Sequence, residues 1–300
     1  MKPADATLAV LASVIWGGAF VATKIALESF SPPQLTALRF LIACLPALLL
    51  PRPRISWLLL ILIGSTLFTG QFLLLFFAFI NGLPPGVASV TQQMQAFFTV
   101  ILAAIFLGDV PTVRQGVGMA VALVGLVLIA LTIDSELSAL GLALAMGGAL
   151  SWAVGNVLVK RMRDTPMFAL VAWLSLVPPI PALAVSSAYD QHPLLLADLL
   201  AASWTSLAAA LYLGLIATTL AYAIWGRLLA RYSAALVAPF ALVAPCVGVV
   251  GSALVFGEVF GPIRYVGMLL VLGGLAVIVL PARSGPFRWG KKQPTAGGTL

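Results

Sequence analysis

The chain has 300 residues and a formal net charge of +7, yet 62% of its residues are hydrophobic and only 8% are charged, compared with about a quarter in an ordinary globular protein. Too few polar residues remain to cover a surface in water, which excludes a soluble enzyme, a nucleic-acid-binding protein and, with two cysteines, a secreted disulfide-stabilised domain. The excess of basic residues is instead typical of a membrane protein, in which lysine and arginine set the orientation.

A helix needs about 20 apolar residues to cross the hydrocarbon core of a bilayer. Proline pairs, glycines and charge clusters divide the chain into apolar segments of this length. The first segment is too long for a signal peptide and lacks a small-residue cleavage pattern, so we predict that it is retained. We predict ten transmembrane helices, over residues 5–28, 33–50, 55–80, 84–107, 113–132, 138–160, 166–186, 203–229, 233–256 and 263–281.

The connectors and the tail show which side of the membrane each end of the chain faces. With a cytoplasmic N-terminus, thirteen of the sixteen lysines and arginines fall on the inner side, and the other three are Lys24, Arg39 and Arg264. This bias predicts that both termini are cytoplasmic. Residues 282–300 are basic and rich in glycine and proline, and we expect a disordered cytoplasmic tail. His192 lies alone in the longest connector, and we assign it no role.

The sequence contains an internal repeat. Trp16-x7-Lys24 recurs as Trp152-x7-Lys160, 136 residues later, and Gly108-Asp109 and Val117-Gly118-Met119 recur as Gly257-Glu258 and Val266-Gly267-Met268, 149 residues later. The pattern predicts two units of five helices, 5–132 and 138–281. Because five is odd, the second unit is inverted relative to the first. Inverted repeats are typical of alternating-access transporters; the alternative is a duplicated packing unit without a transport role.

Polar and aromatic side chains cluster at one depth within these segments, where they mark helix contacts or a cavity. The fourth segment is the richest. At 100° per residue, Gln92 and Gln95 share a face, and Gln93 lies about a quarter-turn away. The alternative is that the glutamines form hydrogen bonds between helices and the tryptophans only pack. We predict a substrate cavity lined by Trp16, Gln71, Gln92, Gln93, Gln95, Trp152, Asn156, Tyr222 and Trp225.

Two prolines, Pro239 and Pro245, lie six residues apart in the ninth segment. Each removes a backbone donor and leaves a carbonyl without its helical partner, so we predict a bend in this helix. A carbonyl freed in this way near the middle of a bilayer needs a partner, which a wet cavity or a ligand can supply.

All nine acidic residues lie at the ends of segments or in connectors. An antiporter of cations and protons usually needs a buried carboxylate, so the sequence disfavours that mechanism and favours facilitated diffusion. Lys24 and Glu28 have the i,i+4 spacing of a helical ion pair, and we predict a charge cluster of Lys24, Glu28 and Arg39, with binding of a substrate carboxylate by Arg39 or Lys24 as the alternative. Neither a metal-binding cluster nor a Ser/His/Asp set is present, so we predict no enzymatic activity, metal or cofactor.

Several of these patterns together resemble a known family. They are Trp16-Gly17-Gly18-Ala19-Phe20, Lys24, Pro32-Pro33, Leu38-Arg39-Phe40, Ser151-Trp152, Gln93-Met94-Gln95-Ala96-Phe97-Phe98-Thr99 and Tyr222-Ala223-Ile224-Trp225-Gly226. The chain resembles EamA-domain exporters of the drug/metabolite transporter superfamily, similar to YddG-type and cysteine/O-acetylserine exporters. The resemblance implies an all-α carrier of ten helices in the bacterial inner membrane, with a central cavity and an export direction.

The sequence and the resemblance lead to one functional hypothesis and two alternatives. We predict a broad-specificity exporter of amino acids and related metabolites, in which amide and aromatic groups hold a zwitterion. One alternative is efflux of drugs or other toxic organic compounds, and the other is a membrane channel or scaffold. The expected partners are the lipid bilayer and a small-molecule substrate, without nucleic acid. A chain with two repeats could work as a monomer.

Overall fold

The computed structural model describes residues 1–108, 111–132, 137–159, 166–190, 196–232 and 237–279. Within these ranges the regular structure is helical, without a strand. The apolar helices are α1 (Pro3–Ala26), α2 (Pro32–Leu48), α3 (Trp57–Ile80), α4 (Pro85–Leu107), α5 (Val113–Ala130), α6 (Ala139–Val159), α7 (Met167–Tyr189), α8 (Trp204–Arg231), α9 (Pro239–Phe256) and α10 (Pro262–Val279). Eight are long and apolar enough to cross a bilayer; α2 and α10 are shorter. A short helix, Leu196–Ala201, precedes α8.

Six of these helices change their winding along their length: α9 begins with the 3-10 segment Ala238–Leu242, and the other five are irregular as follows. A π-helical segment interrupts α3 at Ser65–Gly70 and α8 at Tyr212–Leu220. α4 consists of Pro85–Thr91 and Met94–Leu107, joined by a turn; α7 consists of Met167–Leu174 and Pro179–Tyr189; and α2 consists of Pro32–Ala43 followed by the 3-10 turn Leu45–Leu48. Such irregular segments are frequent at functional sites in helical proteins.

The ends of the helices follow from local sequence. Ser31 caps α2 by accepting a hydrogen bond from the backbone of Gln34, and Thr112 caps α5 through Gln115 in the same way. Gly108 ends α4 with φ of 68° and Gly257 ends α9 with φ of 67°, the left-handed conformation that favours glycine. The two glycines are the repeated pair of the sequence, 149 residues apart.

The helices pack in two similar groups. α1 packs against α8 and α9, and α6 packs against α3 and α4. α2 packs against α7, and α5 packs against α10. The contact between α5 and α10 depends on glycine: a methyl group on Gly118 would lie 2.6 Å from the carbonyl oxygen of Gly274, and one on Gly125 would lie 2.5 Å from that of Gly267. Small residues that let backbones meet are typical of helix contacts in membranes.

The predicted segments agree with the helices to within a few residues, apart from the start of α9. Pro239 lies in a 3-10 segment, Ala238–Leu242, that follows the helical residue Val237. Pro245 lies in the α-helical part, Val243–Phe256. The winding thus changes from 3-10 to α-helix between the two prolines, and the bend of this helix stays a prediction. The tail and His192 lie outside the described residues.

Candidate functional site

A cavity of about 320 Å³ lies among eight of the helices, all except α5 and α10. This volume is within the range of small-molecule sites. The wall carries all nine residues predicted from the sequence, which come from α1, α3, α4, α6 and α8. That these residues bind a substrate stays a prediction. The sequence analysis missed other parts of the wall, among them Phe20, Thr23, Phe72, Ser89 and Met167.

One side of the cavity is aromatic. The ring of Trp16 packs edge-on against Tyr222, with 5.3 Å between centroids, and against Trp225, with 5.0 Å. Trp16 Nε1 donates a hydrogen bond of 3.0 Å to the carbonyl oxygen of Ala217, in the π-helical segment of α8. This bond fixes the indole of α1 against α8 and satisfies its polar atom, so the exposed part of the ring offers an apolar surface to a ligand.

Another part of the wall is formed by amides from α3, α4 and α6. Gln92 Nε2 donates to the carbonyl oxygen of Ala145 across 3.1 Å. Asn156 Nδ2 donates to Gln95 Oε1 across 2.8 Å and lies 3.4 Å from Thr99 Oγ1. The interhelical hydrogen bonds that were the alternative to a cavity are thus present, and the same side chains lie on the cavity wall.

Gln93 lies on the same cavity wall as Gln92 and Gln95, at the break in α4. In a continuous α-helix Gln93 would point about a quarter-turn away. The chain instead forms i to i+3 hydrogen bonds here, from Gln93 N to the carbonyl of Val90 and from Gln95 N to that of Gln92. All three glutamines nevertheless line the cavity.

Two buried amide oxygens have no hydrogen-bond partner among the residues that the structure describes. They are Oε1 of Gln71, on α3, and Oε1 of Gln92, on α4. Both side chains are almost fully buried, at 4% and 2% exposure. An unsatisfied buried acceptor is costly, so this part of the wall is suited to a ligand that brings hydrogen-bond donors.

Arg39 also lies on the cavity wall, where it is 3% exposed. Its Nε donates to Thr218 Oγ1 across 3.0 Å, and its guanidinium carbon lies 4.1 Å from the centre of the Phe72 ring. Within the described ranges, no aspartate or glutamate lines the cavity.

The predicted charge cluster of Lys24, Glu28 and Arg39 is wrong in its pairing. Lys24 Nζ lies 3.4 Å from Oε1 of Glu258. The other oxygen of this carboxylate, Oε2, accepts hydrogen bonds from Gly86 N and Ser252 Oγ. Glu28 is exposed. The reason is that α1 ends at Ala26, so Glu28 does not continue the helical i,i+4 spacing.

Pro245 contributes to the cavity through its neighbours. Ser89 Oγ lies 3.1 Å from the carbonyl oxygen of Pro245, and Ser89 lines the cavity. The carbonyl that would accept the hydrogen bond missing at Pro245 in a regular helix is that of Ala241, which is also on the wall. Groups of three or more His, Cys, Asp or Glu side chains, as metal sites need, are absent from the part of the chain that the structure describes.

Comparison with known proteins gives consistent matches over the whole chain. The EamA-like transporter family matches twice, over residues 5–131 and 139–280. A "Probable amino-acid metabolite efflux pump" of Salmonella typhimurium is 37% identical over 290 residues, covering 94% of this chain and 97% of that protein. A protein with the same name in Escherichia coli is 35% identical with the same coverage. A "Probable terminal-alkyne amino-acid exporter" of Streptantibioticus cattleyicolor is 27% identical, covering 93% and 94%.

The fold is also found among solved structures. One crystal structure superposes with a TM-score of 0.65 and covers 92% of this chain and 96% of its own. At 19% sequence identity, this likeness is one of fold.

Proposed function

This chain belongs to the EamA-like transporter family, and we propose that it exports amino acids and related small metabolites across the bacterial inner membrane. The observation that carries the proposal is the cavity, whose wall combines aromatic side chains with amides. Aromatic walls accept varied apolar side chains, and amides bind the polar groups that all amino acids share. The names of the relatives at 37% and 35% identity support the same substrate class.

The proposed architecture is two inverted five-helix repeats, 5–132 and 138–281. The contact between α5 and α10 supports it. With the repeat offset of 149 residues, Gly118 corresponds to Gly267 and Gly125 corresponds to Gly274. In the structure Gly118 packs against Gly274, and Gly125 packs against Gly267. Reciprocal contacts of this kind are what a two-fold axis produces. Because the contacts run in opposite chain directions, the axis is perpendicular to the helices, and hence in the membrane plane.

The remaining helix contacts agree with such an axis. The proposed two-fold axis exchanges α1 with α6 and α4 with α9. It therefore relates the contact of α1 with α9 to the contact of α6 with α4, and both contacts are present. An inverted pair of repeats can exchange conformations and open the cavity alternately to the two sides. We propose both termini on the cytoplasmic side, from the distribution of lysine and arginine, and a monomer as the working unit, since one chain forms the cavity.

A counterflow experiment tests this function. Purified protein is reconstituted into liposomes loaded with an unlabelled amino acid, and the entry of the labelled amino acid is followed. We expect the internal amino acid to accelerate the entry of the labelled one. This acceleration should be lost in the double variant Gln71→Ala and Tyr222→Ala. It should be kept in Gly116→Ala, because Gly116 lies in a helix that does not line the cavity. A channel would show entry without acceleration. If a panel of amino acids gives no counterflow while a dicationic dye does, drug efflux replaces the proposal.

A further inference from the structure

Arg39 is a buried cation without a matching anion. Salt bridges of the described residues include Lys24 with Glu258 and Arg231 with Asp5, but none that involves Arg39. Its only hydrogen bond among these residues is the one from Nε to Thr218, and its guanidinium also lies near the rings of Phe72 and Phe40. A guanidinium carries five N–H donors, so the four on the two Nη atoms have no hydrogen-bond acceptor in the part of the chain that the structure describes.

Such an arrangement costs free energy unless an anion completes it. Transfer of an ionised group from water to a low-dielectric interior is unfavourable by several kcal/mol, and aromatic faces compensate only part of this cost. The cavity is the space from which a compensating group can come, because Arg39 lies on its wall and no acidic side chain does within the described ranges. The cavity therefore leaves room beside Arg39 for an anion that arrives with a ligand.

The surroundings hold the guanidinium in one orientation. Thr218 Oγ1 accepts the hydrogen bond from Arg39 Nε and itself donates to the carbonyl oxygen of Leu213 across 2.8 Å. The ring of Phe72 lies against the guanidinium at 4.1 Å. With Nε held in this way, the end of the fork with the two Nη atoms is free for two parallel hydrogen bonds, the geometry that a carboxylate matches.

We infer that Arg39 binds the carboxylate of the transported substrate, which makes a free carboxylate a requirement for recognition. The inference rests on the proposed function and specifies its substrate class. The unpartnered oxygen of Gln71 provides an acceptor on the same cavity wall, and rotation of its terminal amide turns this oxygen to an ammonium group. The cavity therefore selects zwitterions, and it repels an analogue whose carboxylate is replaced by a neutral group, since the remaining charge is positive like that of Arg39.

The test compares L-leucine with L-leucinamide, which has the same side chain and ammonium group but no carboxylate. Two readouts are used with the full-length protein: thermal stabilisation by each ligand in detergent, and competition with labelled leucine in counterflow. We expect leucine to act at concentrations at least tenfold lower than leucinamide. In Arg39→Gln the ratio falls to about one, and in Arg39→Lys, which keeps the charge but not the fork, it falls to an intermediate value.

Control variants separate recognition from folding. Arg264, on α10, is a second buried arginine whose Nε donates to a threonine, Thr132, across 3.0 Å, but it does not line the cavity. Arg264→Gln should keep the tenfold ratio even if it lowers the unfolding temperature. Thr218→Val removes the hydrogen-bond acceptor that orients Arg39 but keeps the charge of Arg39, and we expect it to reduce the ratio between leucinamide and leucine. This variant provides the test if Arg39→Gln does not fold.

The outcomes distinguish this inference from the proposed function. Equal action of leucine and leucinamide on the wild type, an unchanged ratio in Arg39→Gln or Arg39→Lys, or no stabilisation by leucine overturns the carboxylate role. If counterflow is present in any of these cases, the exporter function stands without it. If leucine stabilises the protein at least tenfold better than leucinamide but counterflow is absent, the binding role of Arg39 stands and the transport function fails.

Discussion

Asn156 on α6 donates a hydrogen bond to Gln95 on α4, with 2.8 Å between Nδ2 and Oε1, and both side chains line the cavity. The pair therefore joins two helices and also presents polar groups to a ligand. A change in either residue acts on helix contact and on substrate binding together, and the two effects have to be measured separately.

A double-mutant cycle measures the helix contact. We expect Asn156→Ala and Gln95→Ala to show a coupling energy of about 0.6 kcal/mol, the average for polar pairs between membrane helices. The measurement is unfolding of the purified protein in mixed micelles. The matched control pairs Asn156→Ala with Gln92→Ala, because Gln92 bonds to the backbone of Ala145 instead. Additive effects of Asn156→Ala and Gln95→Ala would show that the pair contributes no coupling.

The contact between α5 and α10 is expected to be intolerant of even one methyl group. Gly125→Ala and Gly118→Ala place a Cβ atom within 2.6 Å of a backbone carbonyl oxygen of α10, and overpacking of this kind costs about 1–3 kcal/mol. Gly116→Ala and Gly273→Ala lie in the same two helices, with no atom within 4 Å of the added carbon, and should leave the unfolding temperature unchanged. Equal effects of the two sets would contradict the close approach.

The aromatic side of the cavity should determine the preference for apolar substrates. Trp225→Ala removes the ring that packs against Trp16 at 5.0 Å. We expect the half-saturation concentration for leucine to rise about tenfold, which corresponds to about 1.4 kcal/mol of lost apolar contact, and that for glycine to change much less. Trp204→Ala, at an exposed position of the same helix, is the control. A uniform change for leucine and glycine would argue for a packing role only.

The ion pair between Lys24 and Glu258 is expected to contribute modestly to stability. The Lys24 side chain is 43% exposed, so the electrostatic contribution of the ion pair to stability is at most about 1 kcal/mol. Glu258→Gln removes this contribution, and we expect its unfolding temperature to be lower than that of the wild type by a few degrees. In the wild type this contribution should weaken as the salt concentration rises, and in Glu258→Gln that salt dependence should be absent. Glu28→Gln, at an exposed carboxylate, should behave as the wild type does.

The sequence was sufficient for the helices because each is set by a local property, the length of an apolar run between prolines, glycines and charges. It was also sufficient to select side chains that lie on the cavity wall, since polar groups within apolar helices have few other places to go. Gln93 shows the limit of helical periodicity: a regular helix directs it about a quarter-turn away from Gln92, yet it lines the cavity, at a place where the winding of α4 is irregular.

Contacts between distant parts of the chain were not accessible in this way. Lys24 has a partner 234 residues away, and the i,i+4 spacing to Glu28 offered a closer one that the end of α1 removes. The isolation of Arg39 from acidic side chains likewise depends on how α2 packs, and the π-helical segments of α3 and α8 carry no marker in the sequence. The residues that line the cavity could thus be predicted from the sequence, but the residues with which they form contacts could not.

Arg39 occurs in one half of the chain only. The position 136 residues later, by the offset that relates Trp16 to Trp152, is Ser175, a buried residue at the break in α7 whose hydroxyl donates to the carbonyl of Val171. In a carrier of inverted repeats, the two end states would then hold a substrate with different strength. The half-saturation concentrations measured from the two faces of the membrane should differ, so that flux runs faster in one direction at equal gradients, although the equilibrium distribution of the substrate does not change.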